Sequence, residues 1–191
     1  MTGVQTCALP ISYAYCTLAA GTILWCVPFA VARVKRRDPF QLDKRARWGV
    51  ALECVSYSLL WQGPFWVRSP EWWRLALSVS LFALACALSW TAARALGRHL
   101  RIDASVDFTH ELVRSGPYRL VRHPIYTSML CVLLGTGVLI SPLYLLLPAV
   151  LIFLIGTEIR MQVEDRMLVS RFGEQFTAYQ HNVSRLIPFL K

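Results

Sequence analysis

Long windows without a charged side chain alternate with strongly basic segments along this chain. Four windows contain no Asp, Glu, Lys or Arg: residues 2–32, 54–67, 75–93 and 123–157. A helix needs about 20 mainly apolar residues to cross the hydrocarbon core of a bilayer. The first three windows therefore predict three membrane-spanning helices, at about 12–32, 49–67 and 75–93.

The fourth window is too long for a single span. One helix over residues 123–157 would extend for about 50 Å at ~1.5 Å per residue, well beyond the roughly 30 Å of hydrocarbon. Ser141-Pro142 is the natural bend, because proline lacks a backbone donor and restricts the residue before it. The window thus predicts a short helical hairpin at 125–140 and 143–159. The expected fold is all-α, an integral membrane protein with about five transmembrane helices that ends in a helical tail.

The basic residues occupy three segments that a five-span topology puts on one side of the membrane. Eighteen of the 20 Lys and Arg residues fall within 33–48, 94–124 and 160–191. The positive-inside rule makes that side cytoplasmic, so the C-terminal tail is expected in the cytoplasm. Charged residues make up only 16% of the chain and apolar residues 55%, whereas soluble domains carry roughly 25% charged residues. Composition therefore argues against a soluble enzyme, and the net charge of +9 indicates membrane topology rather than nucleic-acid binding.

Three regions follow from this organisation. Residues 1–11 resemble the translation of a common sequencing-library adapter, and we expect them to be non-native and without a role in function. Residues 12–93 hold the three N-terminal transmembrane helices. Residues 94–191 hold the polar side chains that can carry chemistry.

The first polar stretch is 103–126, which leads into the fourth predicted span. Pro124 suits the first turn of a helix, so His123 is expected at a helix entrance, beside backbone N–H groups that favour an anionic ligand. An alternative interpretation is that Arg119 and Arg122 simply bind phosphate headgroups at the membrane interface.

The second polar stretch is 158–188, where the fifth predicted span ends. Arg160 and Glu164 are four residues apart and share a helix face. They form either an ordinary ion pair or a functional site, because ionisable groups near the bilayer carry a desolvation cost and are often functional.

The run of residues 110–126 resembles the signature of the isoprenylcysteine carboxyl methyltransferase family. It contains Gly-Pro-Tyr-Arg at 116–119, Val-Arg-His-Pro at 121–124 and a tyrosine at 126. The tail matches in order and spacing through these residues: Arg160, Glu164, Asp165, Phe172, Gly173, Glu174, Tyr179 and 185–189. The wider superfamily includes phospholipid and thiol methyltransferases. The resemblance therefore indicates methyl transfer as the reaction but leaves the methyl acceptor open.

The resemblance implies a methyltransferase that moves a methyl group from S-adenosylmethionine to the carboxylate of an isoprenylcysteine-like or other lipidic acceptor. Residues 94–191 would form its catalytic region, facing the cytoplasm. Arg160 matches the family's substrate-facing arginine and is the expected catalytic residue, and no metal site is expected. The implied cofactor contacts are His110, Glu111, Leu112, Val113, Tyr118, His123, Pro124, Ile125, Tyr126 and Glu164.

Other functions stay open from the residues themselves. The acceptor can instead be a phospholipid amine or a thiol, and an amine would need Glu164 or Asp165 as a base because it must lose a proton. A membrane scaffold or transporter subunit would use the same basic interface, but it gives no reason for the spacing of the His, Tyr, Arg and Glu residues. The expected partners are a prenylated or other lipidic acceptor and membrane lipids, without nucleic acid.

Overall fold

The computed structural model describes residues 5–31, 44–63, 70–97 and 112–188 of the chain. These ranges contain six α-helices: α1 (Gln5–Val31), α2 (Lys44–Leu59), α3 (Trp72–Leu96), α4 (Pro124–Ile140), α5 (Leu143–Phe172) and α6 (Glu174–Asn182). Short 3-10 turns cover Leu60–Gln62 and Gly116–Arg119. The same ranges hold no strand, only an isolated parallel bridge between Val121 and Ser184. The all-α class is therefore confirmed for the described part of the chain.

Within the described ranges, three helices are long and apolar enough to cross a membrane: Ser12–Val31, Trp72–Leu96 and Leu143–Phe172. Helix α4 is apolar but has only 17 residues. Helix α2 begins earlier than the predicted span 49–67 and has 16 residues, of which the first carry basic side chains. The five-span count and the cytoplasmic position of the tail remain predictions.

The hairpin between α4 and α5 bends where the proline predicts. Helix α4 ends at Ile140, and α5 begins directly after Pro142. Helix α5 does not stop near 159, however, but runs on to Phe172. No proline or glycine interrupts it over that distance, and it ends at Gly173, whose φ of 53° is accessible to glycine at little cost. The polar residues after 159 are therefore carried by a rigid continuation of the helix.

The helices pack in neighbouring pairs, with α2 against α5, α3 against α4, and α1 against α3. Leu60, Leu133, Ala149 and Phe153 are fully buried between α2, α4 and α5. Large apolar side chains such as Ile23, Leu84 and Leu151 are at least half exposed on the outer faces. Exposed apolar surface of this kind suits lipid contact.

Helices α2 and α5 approach closely at two glycines. A Cβ atom on Gly49 would lie 2.6 Å from the carbonyl oxygen of Gly156, and one on Gly156 would lie 2.7 Å from the carbonyl oxygen of Gly49. Any larger residue would push the helices apart, as at the small-residue crossings common between membrane helices. This crossing brings the middle of α2 beside the polar extension of α5.

Candidate active site

His123 stands at the N-terminus of α4, as expected from the proline that follows it. It occupies the N-cap position without a side-chain bond to the helix, and Pro124 takes the first helical position, fully buried. The backbone N–H of His123 instead donates to the carbonyl of Arg185, 3.1 Å away. The first turn of α4 is therefore not capped by its own N-cap side chain, and its N–H groups remain suited to an anion.

The C-terminal tail is bound along the entrance of α4. The backbone N–H of Arg122 donates to Ser184 at 2.8 Å, next to the parallel bridge between Val121 and Ser184. The hydroxyl of Thr127 donates to the carbonyl of Leu186 at 2.7 Å. The tail thus holds the segment before α4 in a defined position, although more than fifty residues separate the two along the chain.

Asp165 on α5 is the centre of a buried ion network that fixes the same entrance. Its carboxylate lies 2.9 Å from Arg122 Nη1, 3.0 Å from His123 Nε2 and 3.2 Å from Arg185 Nη2. Only 6% of this side chain is exposed. Both oxygens are occupied by cationic groups, so Asp165 is unsuited to act as the base that an amine acceptor would require.

Glu164, the neighbouring residue, points to the other side of the His123 ring. The hydroxyl of Tyr126 donates a hydrogen bond to its carboxylate. His123 Nδ1 lies 3.4 Å from Glu164 Oε2, beyond ordinary hydrogen-bond length. With 26% of its side chain exposed, Glu164 is the accessible carboxylate of the pair.

The two carboxylates shift the titration of the His123 ring. Burial alone would lower the pKa of this imidazole, but the hydrogen bond to Asp165 and the negative charges of Asp165 and Glu164 raise it above its usual value. The positive form of the ring is therefore retained to higher pH than in a free histidine, and Nδ1 faces the Glu164 carboxylate.

Arg160 lies one helical turn before Glu164 on α5, and its side chain lies over the Tyr126 ring. The centre of its guanidinium is 4.8 Å from the centroid of the Tyr126 ring, within cation–π range. Its Nη1 donates to Glu53 Oε2 on α2 at 2.6 Å. Thr157 donates to the other oxygen of Glu53 at 3.1 Å. The ion pair of Arg160 is thus with Glu53, and the simple Arg160–Glu164 pair considered from the sequence is not what the structure shows.

Tyr118 is a buried residue of the 3-10 turn Gly116–Arg119, whose first residue has a φ of 61°. Its carbonyl accepts a hydrogen bond from the hydroxyl of Tyr179 at 2.5 Å. Burial, and then the charge of Glu164, raise the pKa of the Tyr118 hydroxyl.

Three of the remaining expected cofactor contacts are half-buried in the described part of the chain. Leu112 and Val113 are half-buried residues before the turn, and Ile125 is a half-buried residue in the first turn of α4. His110 and Glu111 lie outside the described residues. The structure therefore brings together His123, Tyr126, Glu164 and Arg160, whereas the contact of Tyr118 is with Tyr179.

Sequence reasoning missed the role of Glu53. A single carboxylate within the predicted span 49–67 was the available signal, because an ionisable residue in an apolar helix needs a partner or a function. The partner could not be identified, since it lies 107 residues further along the chain.

Comparison with known proteins gives consistent matches. Residues 73–175 match the protein family described as phospholipid methyltransferase. The chain is 31% identical over 124 residues to protein-S-isoprenylcysteine O-methyltransferase B of Arabidopsis thaliana, covering 63% of this chain and 62% of that protein. It is 37% identical over 75 residues to methanethiol S-methyltransferase of Pseudomonas deceptionensis, covering 39% and 27%.

A third relative has a different kind of name. The chain is 30% identical over 148 residues to the cobalt-zinc-cadmium resistance protein CzcN of Cupriavidus metallidurans, covering 75% of this chain and 62% of that protein. The chain thus spans less than two thirds of the length of each of these relatives.

Proposed function

The chain belongs to the phospholipid methyltransferase family, and from that premise we propose that it is a membrane methyltransferase using S-adenosylmethionine. The proposed acceptor is the carboxylate of an isoprenylcysteine-like or other lipidic molecule. One observation carries the proposal: an accessible carboxylate, Glu164, bonds to the hydroxyl of Tyr126, and a guanidinium, Arg160, lies over its ring, where α5 becomes polar.

The residues around Glu164 fit the donor chemically. S-adenosylmethionine supplies a methyl group bonded to a positively charged sulfur, and it also carries a carboxylate, an ammonium and ribose hydroxyls. Glu164 suits the ammonium or the hydroxyls, whereas the His123 imidazolium and the first N–H groups of α4 suit the carboxylate. In this proposal Tyr118 and Tyr126 add aromatic surface, and Leu112, Val113, Pro124 and Ile125 contribute apolar surface to the donor site. In this proposal His110 and Glu111 complete the donor site.

Arg160 serves the acceptor in this proposal. A carboxylate is already a nucleophile near neutral pH, so it needs positioning and partial removal of water rather than a strong base. The guanidinium can orient a carboxylate through charge-assisted hydrogen bonds. Its side chain is 14% exposed, at the level where the apolar part of α5 ends. A lipid-borne acceptor would reach that level from the membrane, with the donor arriving from the cytoplasm.

A thiol is the second candidate acceptor. The similarity to a methanethiol S-methyltransferase favours it, and Arg160 could equally orient a thiolate. A phospholipid amine is less well supported, because Asp165 is held by three cationic groups and only Glu164 is left to accept a proton.

Methyl transfer from labelled S-adenosylmethionine by the purified protein tests the proposal. The acceptors are N-acetyl-S-farnesylcysteine, methanethiol and phosphatidylethanolamine in lipid vesicles. We expect methyl ester formation on the first. Labelling of the amine alone, or of none of the three, would contradict the proposed acceptor.

Two variants separate the donor side from the acceptor side. Loss of a charge-assisted contact costs about 1.5–3 kcal/mol, roughly ten- to a hundredfold. Glu164→Gln is expected to weaken donor binding by that factor. Arg160→Lys keeps a cation facing Glu53 but removes the planar fork, so it should lower turnover while donor affinity stays within a few-fold. Isothermal titration with donor and initial-rate measurements give the two quantities.

The matched control is Glu158→Gln, which neutralises a carboxylate on the same helix that is bonded to Arg185 and Gln162 at the surface. It should leave both quantities nearly unchanged. If Arg160→Lys turns over normally with the farnesylcysteine acceptor, Arg160 does not orient the acceptor.

A further inference from the structure

Glu53 is a buried carboxylate on α2, outside the segment 73–175 that matches the family. It is 3% exposed and receives two hydrogen bonds, from Arg160 and from Thr157. Burying a carboxylate is costly unless it is paired and hydrogen-bonded. Both of its oxygens are satisfied by residues of α5, so the pair is a built feature of the α2–α5 interface.

The α2–α5 crossing is shaped to let the Arg160 side chain pass. A Cβ atom on Gly49 would lie 2.5 Å from Arg160 Cγ, so a larger residue at that position would displace the arginine stem. Glu53 stands one turn further along α2, where it engages Nη1. The Tyr126 ring lies against the guanidinium. Three elements, α2, α4 and α5, therefore determine where the Arg160 charge is held.

The charge balance of this group matters for the reaction proposed above. The acceptor oxygen forms a bond to the methyl carbon while the carbon–sulfur bond breaks and its electron pair stays on sulfur. An anion and a cation become a neutral ester and a neutral thioether, and no proton moves. Negative charge on the carboxylate therefore decreases towards the transition state.

A cation facing that carboxylate has two opposing effects. It improves binding, but it stabilises the charged ground state more than the partly neutralised transition state. Only interactions that are stronger in the transition state raise the rate of the chemical step. An unopposed arginine at this position would therefore bind the acceptor tightly and slow its methylation.

We propose that Glu53 is a positioning and specificity-determining residue that moderates the hold of Arg160 on an anionic acceptor. This inference rests on the proposed function and deepens it, because it predicts how acceptor binding and turnover depend on the charge of α2. Glu53 accepts a hydrogen bond from Nη1 of the Arg160 guanidinium and leaves the other N–H groups to the acceptor. It also opposes the arginine charge without contacting the acceptor itself.

The test is Glu53→Gln in the full chain, with N-acetyl-S-farnesylcysteine as acceptor. Glutamine keeps the shape and a hydrogen-bond acceptor for Arg160 but removes the negative charge. We expect KM for the acceptor and kcat to fall together, each by about three- to tenfold, a pattern that indicates tighter ground-state binding. The acceptor dissociation constant, measured by titration in the presence of the unreactive product S-adenosylhomocysteine, should fall by a similar factor.

Ser56→Ala is the matched control, because Ser56 is a buried polar residue of α2 that bonds to the α5 backbone, at Ala149. It is expected to lower thermal stability without moving KM or the acceptor dissociation constant. Glu53→Asp keeps the negative charge but moves it one methylene further from Arg160. The acceptor KM and the acceptor dissociation constant of this variant should therefore lie between those of wild type and Glu53→Gln. If Glu53→Gln does not accumulate in membranes, the same two constants measured for Glu53→Asp test the inference.

An unchanged or increased acceptor KM in the Glu53 variants, with wild-type methyl transfer intact, would overturn the inference and leave Glu53 as a structural partner of Arg160. Absence of methyl transfer by the wild-type protein to this acceptor is a separate outcome and overturns the proposed function, and with it the inference.

Discussion

His123 joins a structural role to the donor-binding role proposed for it. Its backbone is held by the tail, its Nε2 by Asp165, and its Nδ1 faces Glu164 at 3.4 Å. Its position at the start of a helix was predictable from the proline after it. Its two carboxylate neighbours were not, because both lie on α5, about 40 residues away.

The raised pKa of His123 predicts how stability depends on pH. A histidine whose folded pKa is raised stabilises the protein fully below its unfolded pKa of about 6.5, and the contribution is lost as pH rises through the higher folded value. The wild-type unfolding temperature in detergent should therefore fall across that window. In His123→Gln this fall should be absent or much smaller, as thermal scans over a pH series would show.

The same variant should bind donor at least several-fold more weakly, since glutamine cannot supply the imidazolium charge. His181→Gln, at an exposed position of α6, is the control for both measurements. An unfolding temperature with the same pH dependence in wild type and His123→Gln would show that the His123 charge does not stabilise the fold.

At the scale of elements, the crossing of α2 and α5 has the strictest requirement for small residues. The Gly156→Ala substitution would put a Cβ 2.7 Å from the Gly49 oxygen and 3.0 Å from Leu52 Cβ, and neither backbone can yield without moving its helix. Overpacking of this kind typically costs about 1–3 kcal/mol. Thermal or denaturant unfolding should report a loss of that size, together with a lower acceptor KM, because the shift moves the opposing charge of Glu53 away from Arg160.

Gly135→Ala is the comparison for that loss. Its Cβ would meet only side-chain atoms, at 3.2 Å and 3.3 Å from the Phe82 ring and 3.4 Å from Leu81. A side chain can adjust, and alanine is favoured over glycine inside a helix by roughly 1 kcal/mol. If Gly135→Ala lowers the stability as much as Gly156→Ala, the close approach of the α2 and α5 backbones is not the reason for the loss at Gly156.

At the scale of the whole molecule, the distribution of basic residues predicts one orientation in the membrane. Single cysteines at position 40, which lies outside the described residues, and at position 180 should both be labelled by an impermeant reagent only from the cytoplasmic side. A cysteine replacing Glu71, in the turn before α3, should be labelled from the other side. Labelling of positions 40 and 180 from opposite sides would contradict the five-span topology.

The apolar windows and the proline at 142 determined the main helices and the hairpin without tertiary information. Both are properties of neighbouring residues: an apolar run long enough to span the bilayer, and a ring that cannot continue a helix. The same local chemistry placed His123 at the start of α4 and put Arg160 and Glu164 on the same helix extension. The boundary of α2 was less well predicted. Lys44, Arg45 and Arg47 begin this helix, but charged residues are absent from an apolar window, so the predicted span began only at 49.

Only the tertiary structure decided which charges pair. Arg160 could have bonded to Glu164 on its own helix, but Glu53 binds it across the α2–α5 crossing, while Glu164 turns to Tyr126 and His123. The tail likewise reaches back to Arg122 and His123 through backbone bonds that no side-chain pattern encodes. A pairing between residues far apart in the chain depends on how helices pack, and that packing is determined by the sum of many contacts rather than by any local period.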